Sequence, residues 1–276
     1  MVAKVPRLLL SIVVLTSTLH VGVTEAAPDQ AHRFGALIGS LVLVTGNAVD
    51  AAGNSYVAGW FTASNFTLGG VVLSRLGVVD AFVAKLDPNG TTIWARNFGG
   101  VNATTMARSV AVDDAGNVHV GGYFSGASLT EPALQLMGGY VAFAIKLDST
   151  GATVWGRGFG GNLGTYAYGQ SIAVDGGSNV YLGGYFHADM TTPPLVETGY
   201  TDAFVIKLDP NGEIVWSTSF GGAPTTGTHL NALVVDAAGN VYAGGSVIDG
   251  ELTHPPLAKI TGHDAFVIKL DSTGGV

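Results

Sequence analysis

From residue 46 onward, short runs of alternating small, β-branched and aromatic residues are separated by clusters of Gly, Asp and Asn. Ser109-Val-Ala-Val112 has the two-residue period of a half-buried strand. Asp113-Asp-Ala-Gly-Asn117 follows as a turn, in which an Asp side chain bonds the backbone two residues on and Gly supplies a positive φ. Val118–Phe124 returns as a second strand. In the preceding stretch, Ala81-Phe-Val-Ala-Lys-Leu86 reads as a third strand and Asp87-Pro-Asn-Gly90 as a hairpin turn, with Pro fixing φ. Thr92-Ile-Trp-Ala-Arg-Asn-Phe98 reads as a fourth strand, ended by Gly99-Gly100.

This set of four recurs along the chain. Ser109–Phe124 aligns with Ser171–Phe186, with Ala232–Ser246 and with Gly46–Phe61. Trp94, Trp155 and Trp216 are 61 residues apart, and Lys85, Lys146, Lys207 and Lys269 keep nearly the same period. A period of that length carrying four antiparallel strands predicts an all-β fold, a β-propeller with one blade per unit. A β-helix needs a shorter coil, and an immunoglobulin-like module needs about 7 strands.

Residues 171–184 with 202–212 carry Ser-Ile-Ala-Val-Asp, Asn-Val-Tyr-Leu-Gly and Asp-Ala-Phe-Val-Ile-Lys-Leu-Asp. In these the chain resembles the bacterial β-propeller repeat family SBBP, and the first half of each unit is also similar to the NHL-type propeller repeat. The resemblance covers about residues 46–276. It implies exported or surface-located bacterial proteins with propeller folds, and it implies no reaction and no catalytic residues.

The units run over about 46–107, 108–169, 170–230 and 231–276, and the last lacks a fourth strand. Phe34 precedes Asp50 by the 16 residues that separate Phe220 from Asp236, so residues 28–35 fall in the phase of a fourth strand. The expectation is a ring of four four-stranded blades closed by that N-terminal strand, which removes the exposed sheet edge. The rival is a piece of a larger propeller. Ahead of it, Lys4 and Arg7, an apolar run from Leu8 and the small residues before Pro28 read as a secretory signal peptide over 1–26, leaving 27–276 as one domain. The alternative of an N-terminal membrane anchor suffers from an apolar run shorter than the roughly 20 residues a span needs. No later stretch is long enough, so no membrane span is expected in the mature chain.

Composition narrows the partners. The 41 Gly among 276 residues are about twice ordinary usage and fit many tight turns. A net charge of −8 with 12 Lys+Arg argues against nucleic acid. With no Cys there is neither a disulfide scaffold nor a thiolate metal site. The acids recur at Asp50, Asp113, Asp175 and Asp236, at Asp87, Asp148, Asp209 and Asp271, and at Asp80, Asp202 and Asp264. A catalytic carboxylate is needed once, not once per blade, so these read as turn residues and no catalytic or metal-binding residue is assigned. No cofactor is expected; calcium at the Asp turns is the alternative. The repeated Lys predicts an ion pair with a repeated Asp or a carbonyl contact between blades. His119 stands where other units have Tyr and reads as packing. His187, His229, His254 and His263 are expected on loops of one face, where they could converge, which leaves a faint metal hypothesis there.

The turns between strands one and two and between three and four share one face. The other carries the long, divergent loops 62–79, 125–140, 187–200 and 247–263, where binding is expected. Their apolar residues, such as Phe66, Leu134 and Met190, either bind a partner or bury one another. The candidate ligand-binding residues are Arg108, Gln170 and Asn231, placed at the starts of first strands near the channel mouth, with Tyr166, Tyr168, His187 and Tyr200 on loops. The expected function is an exported, non-enzymatic scaffold binding protein or carbohydrate through that face, secreted, periplasmic or at the cell surface. Two alternatives stay open: a propeller hydrolase or lyase acting at the channel mouth, and a purely structural envelope module.

Overall fold

The computed structural model describes residues 40–258, 260 and 262–276. Among these there is no helix, and none is long and apolar enough to cross a membrane. The predicted signal peptide and the predicted closing strand at 28–35 lie outside the described residues.

The first unit forms β1 (Val42–Val49), β2 (Ser55–Phe61), β5 (Asp80–Leu86) and β6 (Thr92–Phe98), hydrogen-bonded in that order, with a small hairpin β3 (Asn65–Leu68) and β4 (Val71–Ser74) between the middle two. The second repeats it with β7 (Thr104–Val112), β8 (Val118–Ser125), β11 (Tyr140–Leu147) and β12 (Thr153–Phe159), around β9 (Leu129–Thr130) and β10 (Ala133–Leu134). The third has β13 (Tyr166–Val174), β14 (Val180–His187), β17 (Asp202–Leu208) and β18 (Ile214–Phe220), around β15 (Met190–Thr191) and β16 (Pro194–Leu195). The fourth has three main strands, β19 (Gly227–Val235), β20 (Val241–Ile248) and β23 (His263–Leu270), around β21 (Leu252–Thr253) and β22 (Pro256–Leu257). Pairing within each unit is antiparallel, and β11 also meets β13 in parallel at Tyr140–Tyr166, which links the sheets of the second and third units. Carboxyl-terminal residues of the four innermost strands, Val49, Val112, Val174 and Val235 among them, line one apolar pit of about 330 Å³.

The hairpins correct the expectation of plain loops. Leu129 and Leu134 join the core between the first and second sheets, and Met190 and Leu195 that between the second and third. Phe66, Leu68 and Leu73 cover the first sheet's outer face beside Phe61 and Phe82. Mutual burial therefore accounts for most of the apolar residues of these segments.

Each sheet is fastened to the next by repeated polar contacts. Trp94, Trp155 and Trp216 donate from Nε1 to Ser149, Pro210 and Ser272 carbonyls of the following unit, at 3.1, 3.0 and 3.0 Å. Their rings lie against Gly151, Gly212 and Gly274, where a Cβ would come within 2.8–2.9 Å of the indole. The repeated lysines do both things expected of them. Lys85 lies 3.9 Å from Asp50 within its own unit. Lys146 and Lys207 instead donate to the Pro210 and Ser272 carbonyls of the next unit, at 3.2 and 3.4 Å. The Gly pairs after the fourth strands admit the next hairpin: a Cβ at Gly100, Gly161 or Gly222 would fall 2.1–2.4 Å from the carbonyls of Ser128, Asp189 or Glu251.

The fourth sheet ends this sequence among the described residues. Val205 and Tyr181 of the third sheet are fully buried beneath it. Their counterparts in the fourth are open: Val267 is 76% exposed, and Tyr242 is half-buried. Within the described residues β23 pairs only with β20, so they show no closed ring.

The aspartates after the first strands tie up their own turns. Asp175 Oδ1 accepts from the Gly177 and Asn179 amides, and its Oδ2 accepts from Asn179 Nδ2 and Tyr181 Oη, all at 2.9 Å. Burial pushes its carboxyl up, but these hydrogen bonds outweigh it and hold the pKa below the ordinary value. Any cation at this turn would have to displace four donors.

The second unit departs from this pattern in a coupled way. His119 replaces Tyr, is fully buried, and has Nε2 3.4 Å from Asp113 Oδ2 while Nδ1 has no partner. The space is taken by Ser178 of the next unit, which donates to Asp113 Oδ2 at 3.1 Å from a left-handed backbone, φ 60°, where other units have Gly. Burial chiefly, with a smaller push from the Lys146 charge, outweighs Asp113 and depresses the His119 pKa from 6.5 to about 4. The unfolded chain therefore takes up this proton below pH 6.5 while the folded chain refuses it down to about 4. Stability is expected to fall across that window by about 3 kcal/mol. The double variant His119→Tyr with Ser178→Gly restores the pattern of the other units. It is expected to be about 1–2 kcal/mol more stable at pH 7, by removing a buried unpaired nitrogen and the left-handed strain. It should also lose most of the acid sensitivity. Urea unfolding at pH 7 and pH 5 in a double-mutant cycle checks both; additive single effects would show that the two positions are independent.

Candidate functional site

The innermost strand of every unit carries a β-bulge, with register shifts at Val44/Gly46, Ala107/Ser109, Gly169/Ser171 and Leu230/Ala232. The extra residues are Thr45, Arg108, Gln170 and Asn231. A bulge lets one residue leave the pleat and re-aims its side chain. The repeated Gly-Gly of the second strand makes room for this. At the second Gly, a Cβ would lie 1.8–2.1 Å from the carbonyls of Leu43, Met106, Tyr168 and His229, as built at Gly59, Gly122, Gly184 and Gly245. At the first Gly the next sheet closes in: a Cβ on Gly183 would lie 2.4 Å from Leu233 Cδ2.

This corrects the placement of three candidates. Arg108, Gln170 and Asn231 stand inside β7, β13 and β19, four residues in from each strand's start, not at the starts. Tyr166 and Tyr168 lie in β13 and His187 ends β14; of the four residues expected on loops, Tyr200 alone is on one.

Next to the bulges, the residues paired across the first two strands form a band. The pairs are Leu43 with Trp60, Met106 with Tyr123, Tyr168 with Tyr185 and His229 with Ser246. Over the second to fourth sheets it becomes a continuous row of rings. Tyr123 meets Tyr168 edge-on at 5.0 Å, Tyr168 stacks on Tyr185 at 4.8 Å, and Tyr185 stacks on His229 at 4.0 Å. A second row runs from Tyr140 to Tyr166 at 5.7 Å, Tyr166 to His187 at 6.2 Å and His187 to Tyr200 at 5.2 Å. Tyr140 joins the rows, 5.8 Å from Tyr123 and 4.8 Å from Tyr168. Tyr166 is 38% and Tyr200 63% exposed, and the other rings are half-buried.

Polar groups sit among the rings. Arg108 Nε donates to Gln170 Oε1 at 3.0 Å, bridging two sheets. His187 Nδ1 is 2.9 Å from Glu197 Oε1 and 2.7 Å from the Tyr200 carbonyl. Asn231 is exposed two residues beyond His229. Burial first, then the neighbouring phenols, pushes the Tyr168 pKa up to about 12. Burial also raises Tyr123 and Tyr185, against the pull of the Arg108 charge, and lowers His229. The row is therefore a neutral, hydroxyl-edged aromatic surface at ordinary pH. His187 and His229 are both engaged in ring stacking, and no group of three or more metal-capable side chains exists among the described residues.

Six of the seven candidates thus enter one connected site, and Asn231 borders it. The reading of the sequence missed Tyr123, Tyr140 and Tyr185. Tyr123 and Tyr185 follow the repeated Gly-Gly pair, where Trp60 and Ser246 stand in the outer units, and that variation was the available signal.

Sheet order, bulges and blade-to-blade contacts together define an all-β repeat protein of the β-propeller type. Residues 93–126 match the SBBP β-propeller repeat family, so the chain carries a repeat of the family that its sequence resembles. The chain is also 28% identical over 173 residues to an uncharacterized WD repeat-containing protein, L264, of Acanthamoeba polyphaga mimivirus; the match takes in 50% of this chain and 12% of that much longer protein. A solved structure of a protein of unknown function from Bacteroides caccae is similar over 85% of this chain and 80% of its own, at 11% identity and a TM-score of 0.31.

Proposed function

We propose that this chain is an exported, non-enzymatic interaction scaffold, a propeller of four blades, that binds a glycan through the two aromatic rows. The carrying observation is the convergence of eight aromatic and imidazole rings from three sheets around the Arg108–Gln170 hydrogen bond. Rings with hydroxyl edges suit a sugar, which has apolar C–H faces and a hydroxyl rim. The repeat family and the WD-repeat relative favour an interaction scaffold. The His187–Glu197 contact is the feature that favours the hydrolase alternative, because an orienting carboxylate beside an imidazole is part of a general-base pair.

One experiment weighs both readings. Titration calorimetry of neutral and acidic oligosaccharides should give saturable binding, with the sugar recovered intact. Tyr168→Ala, which removes the first-row ring that packs on Tyr123, Tyr185 and Tyr140, should weaken it at least 10-fold. Cleaved sugar would favour the hydrolase reading. Absence of binding across the whole panel would sink the glycan reading.

A further inference from the structure

We propose that the ligand is an acidic sugar whose carboxylate pairs with the guanidinium of Arg108. This rests on the reading of the aromatic rows as a glycan-binding surface and adds the ligand's charge class to it.

Four bulge positions are equivalent by the repeat, and three of them hold the neutral residues Thr45, Gln170 and Asn231. Arg108 alone carries charge there. A group present once per chain is not needed to build a blade, unlike the lysine that recurs in every third strand. Its bonding also differs from that of the other described arginines. Arg75 donates to the Val78 carbonyl, Arg96 to Gly151 and Ala95, and Arg157 to Gly212, Gly156 and Asn211 and to the Glu213 carboxylate. Each of these closes a backbone contact.

Among the described residues Arg108 makes one hydrogen bond, from Nε to Gln170 Oε1 at 3.0 Å. No described carboxylate lies within ion-pair distance of it, and its Nη atoms are not sealed from solvent. Among the described residues the terminal fork is therefore unpaired and open. Gln170 fixes one edge of the guanidinium, which leaves the two Nη groups for a single planar acceptor. A carboxylate has the matching geometry, with two oxygens for two parallel N–H donors.

The surroundings select among anions. The phenols of Tyr123 and Tyr185 are close enough to feel the Arg108 charge. They add aromatic rings beside the guanidinium, the Tyr123 hydroxyl donating to Met106 Sδ at 3.3 Å. One arginine suits a single negative charge, whereas a phosphate carries more. An unpaired arginine in a chain of net charge −8 also gives an acidic ligand a local foothold that the rest of the surface denies it.

The test uses tri- and tetrasaccharides of galacturonate, glucuronate and mannuronate, each beside its carboxyl-reduced, neutral form. The wild-type protein should bind at least one acidic series about 10- to 100-fold more tightly than its reduced counterpart, the range expected for a hydrogen-bonded charge pair. Arg108→Gln should erase that preference, so that within the variant the acidic and the reduced sugars bind alike, with circular dichroism and the urea midpoint confirming the fold. Arg108→Lys keeps the charge without the fork and should retain part of the preference. Equal binding of acidic and reduced sugars by the wild type, still abolished by Tyr168→Ala, overturns the carboxylate assignment and leaves the glycan reading in place. A preference that survives in Arg108→Gln overturns the role of Arg108. Binding of neither form overturns this proposal together with the reading it rests on.

Discussion

Trp155→Ala is expected to destabilise the protein by about 3–5 kcal/mol, the usual cost of deleting a buried aromatic. Trp155 is 8% exposed, and its ring fills the space between His119 and the turn at Gly212. Its Nε1 hydrogen bond to the Pro210 carbonyl would go as well, although Lys146 still donates to that oxygen. Against a total stability of about 5–15 kcal/mol, this is a large fraction. Trp216 makes the same contact to Ser272 but is half-buried. Trp216→Ala should cost about half as much. Urea midpoints of the two variants test the ordering. Equal losses would mean that the indoles act within their own sheets and not as links between neighbours.

Gly184→Ala should be comparably severe, through backbone and not through packing. The added methyl would stand 1.9 Å from the Tyr168 carbonyl oxygen and 3.0 Å from Phe204 Cε1. A rotamer change cannot relieve a clash with main chain, so the bulge in β13 must open. The expected loss exceeds about 3 kcal/mol, in the range where single substitutions are diagnostic. Because Tyr168 adjoins that bulge and Gln170 is its extra residue, sugar binding should fall with it. Gly244→Ala is the matched control: the nearest atom to its Cβ is 3.8 Å away, so stability should change by less than about 1 kcal/mol. If Gly184→Ala proved as mild as Gly244→Ala in thermal unfolding, the close approach at the bulge would not exist in solution.

The units, their main strands and their turns could be read from the chain because the determinants are local. Asp236 takes the amides two and four residues on, and Asp-Pro-Asn-Gly closes its own hairpin. A contact between units was expected for the repeated lysine, but which atom one period away it meets, and that the indole shares it, could not be read. Lys146 finds the Pro210 carbonyl, and Trp155 finds the same atom, across 64 and 55 residues. The bulges were hidden for a different reason. An extra residue such as Arg108 leaves no compositional mark, and its opposing Gly looks like any strand glycine. The candidate site was half legible: Tyr166, Tyr168, His187 and Tyr200 stood out as variable aromatics. Tyr123 and Tyr185 were masked by belonging to the repeated block.

The indole contacts reach from one unit into the next, and this constrains how such a gene can grow. Each fastening has its two halves about 55 residues apart, on either side of a sheet boundary. A duplication or deletion of one full period, wherever its breakpoints fall, rejoins an indole to a receiving turn. One of half a period strands an indole without its turn. Copy number along this chain can therefore drift by whole units while the junctions between units stay intact.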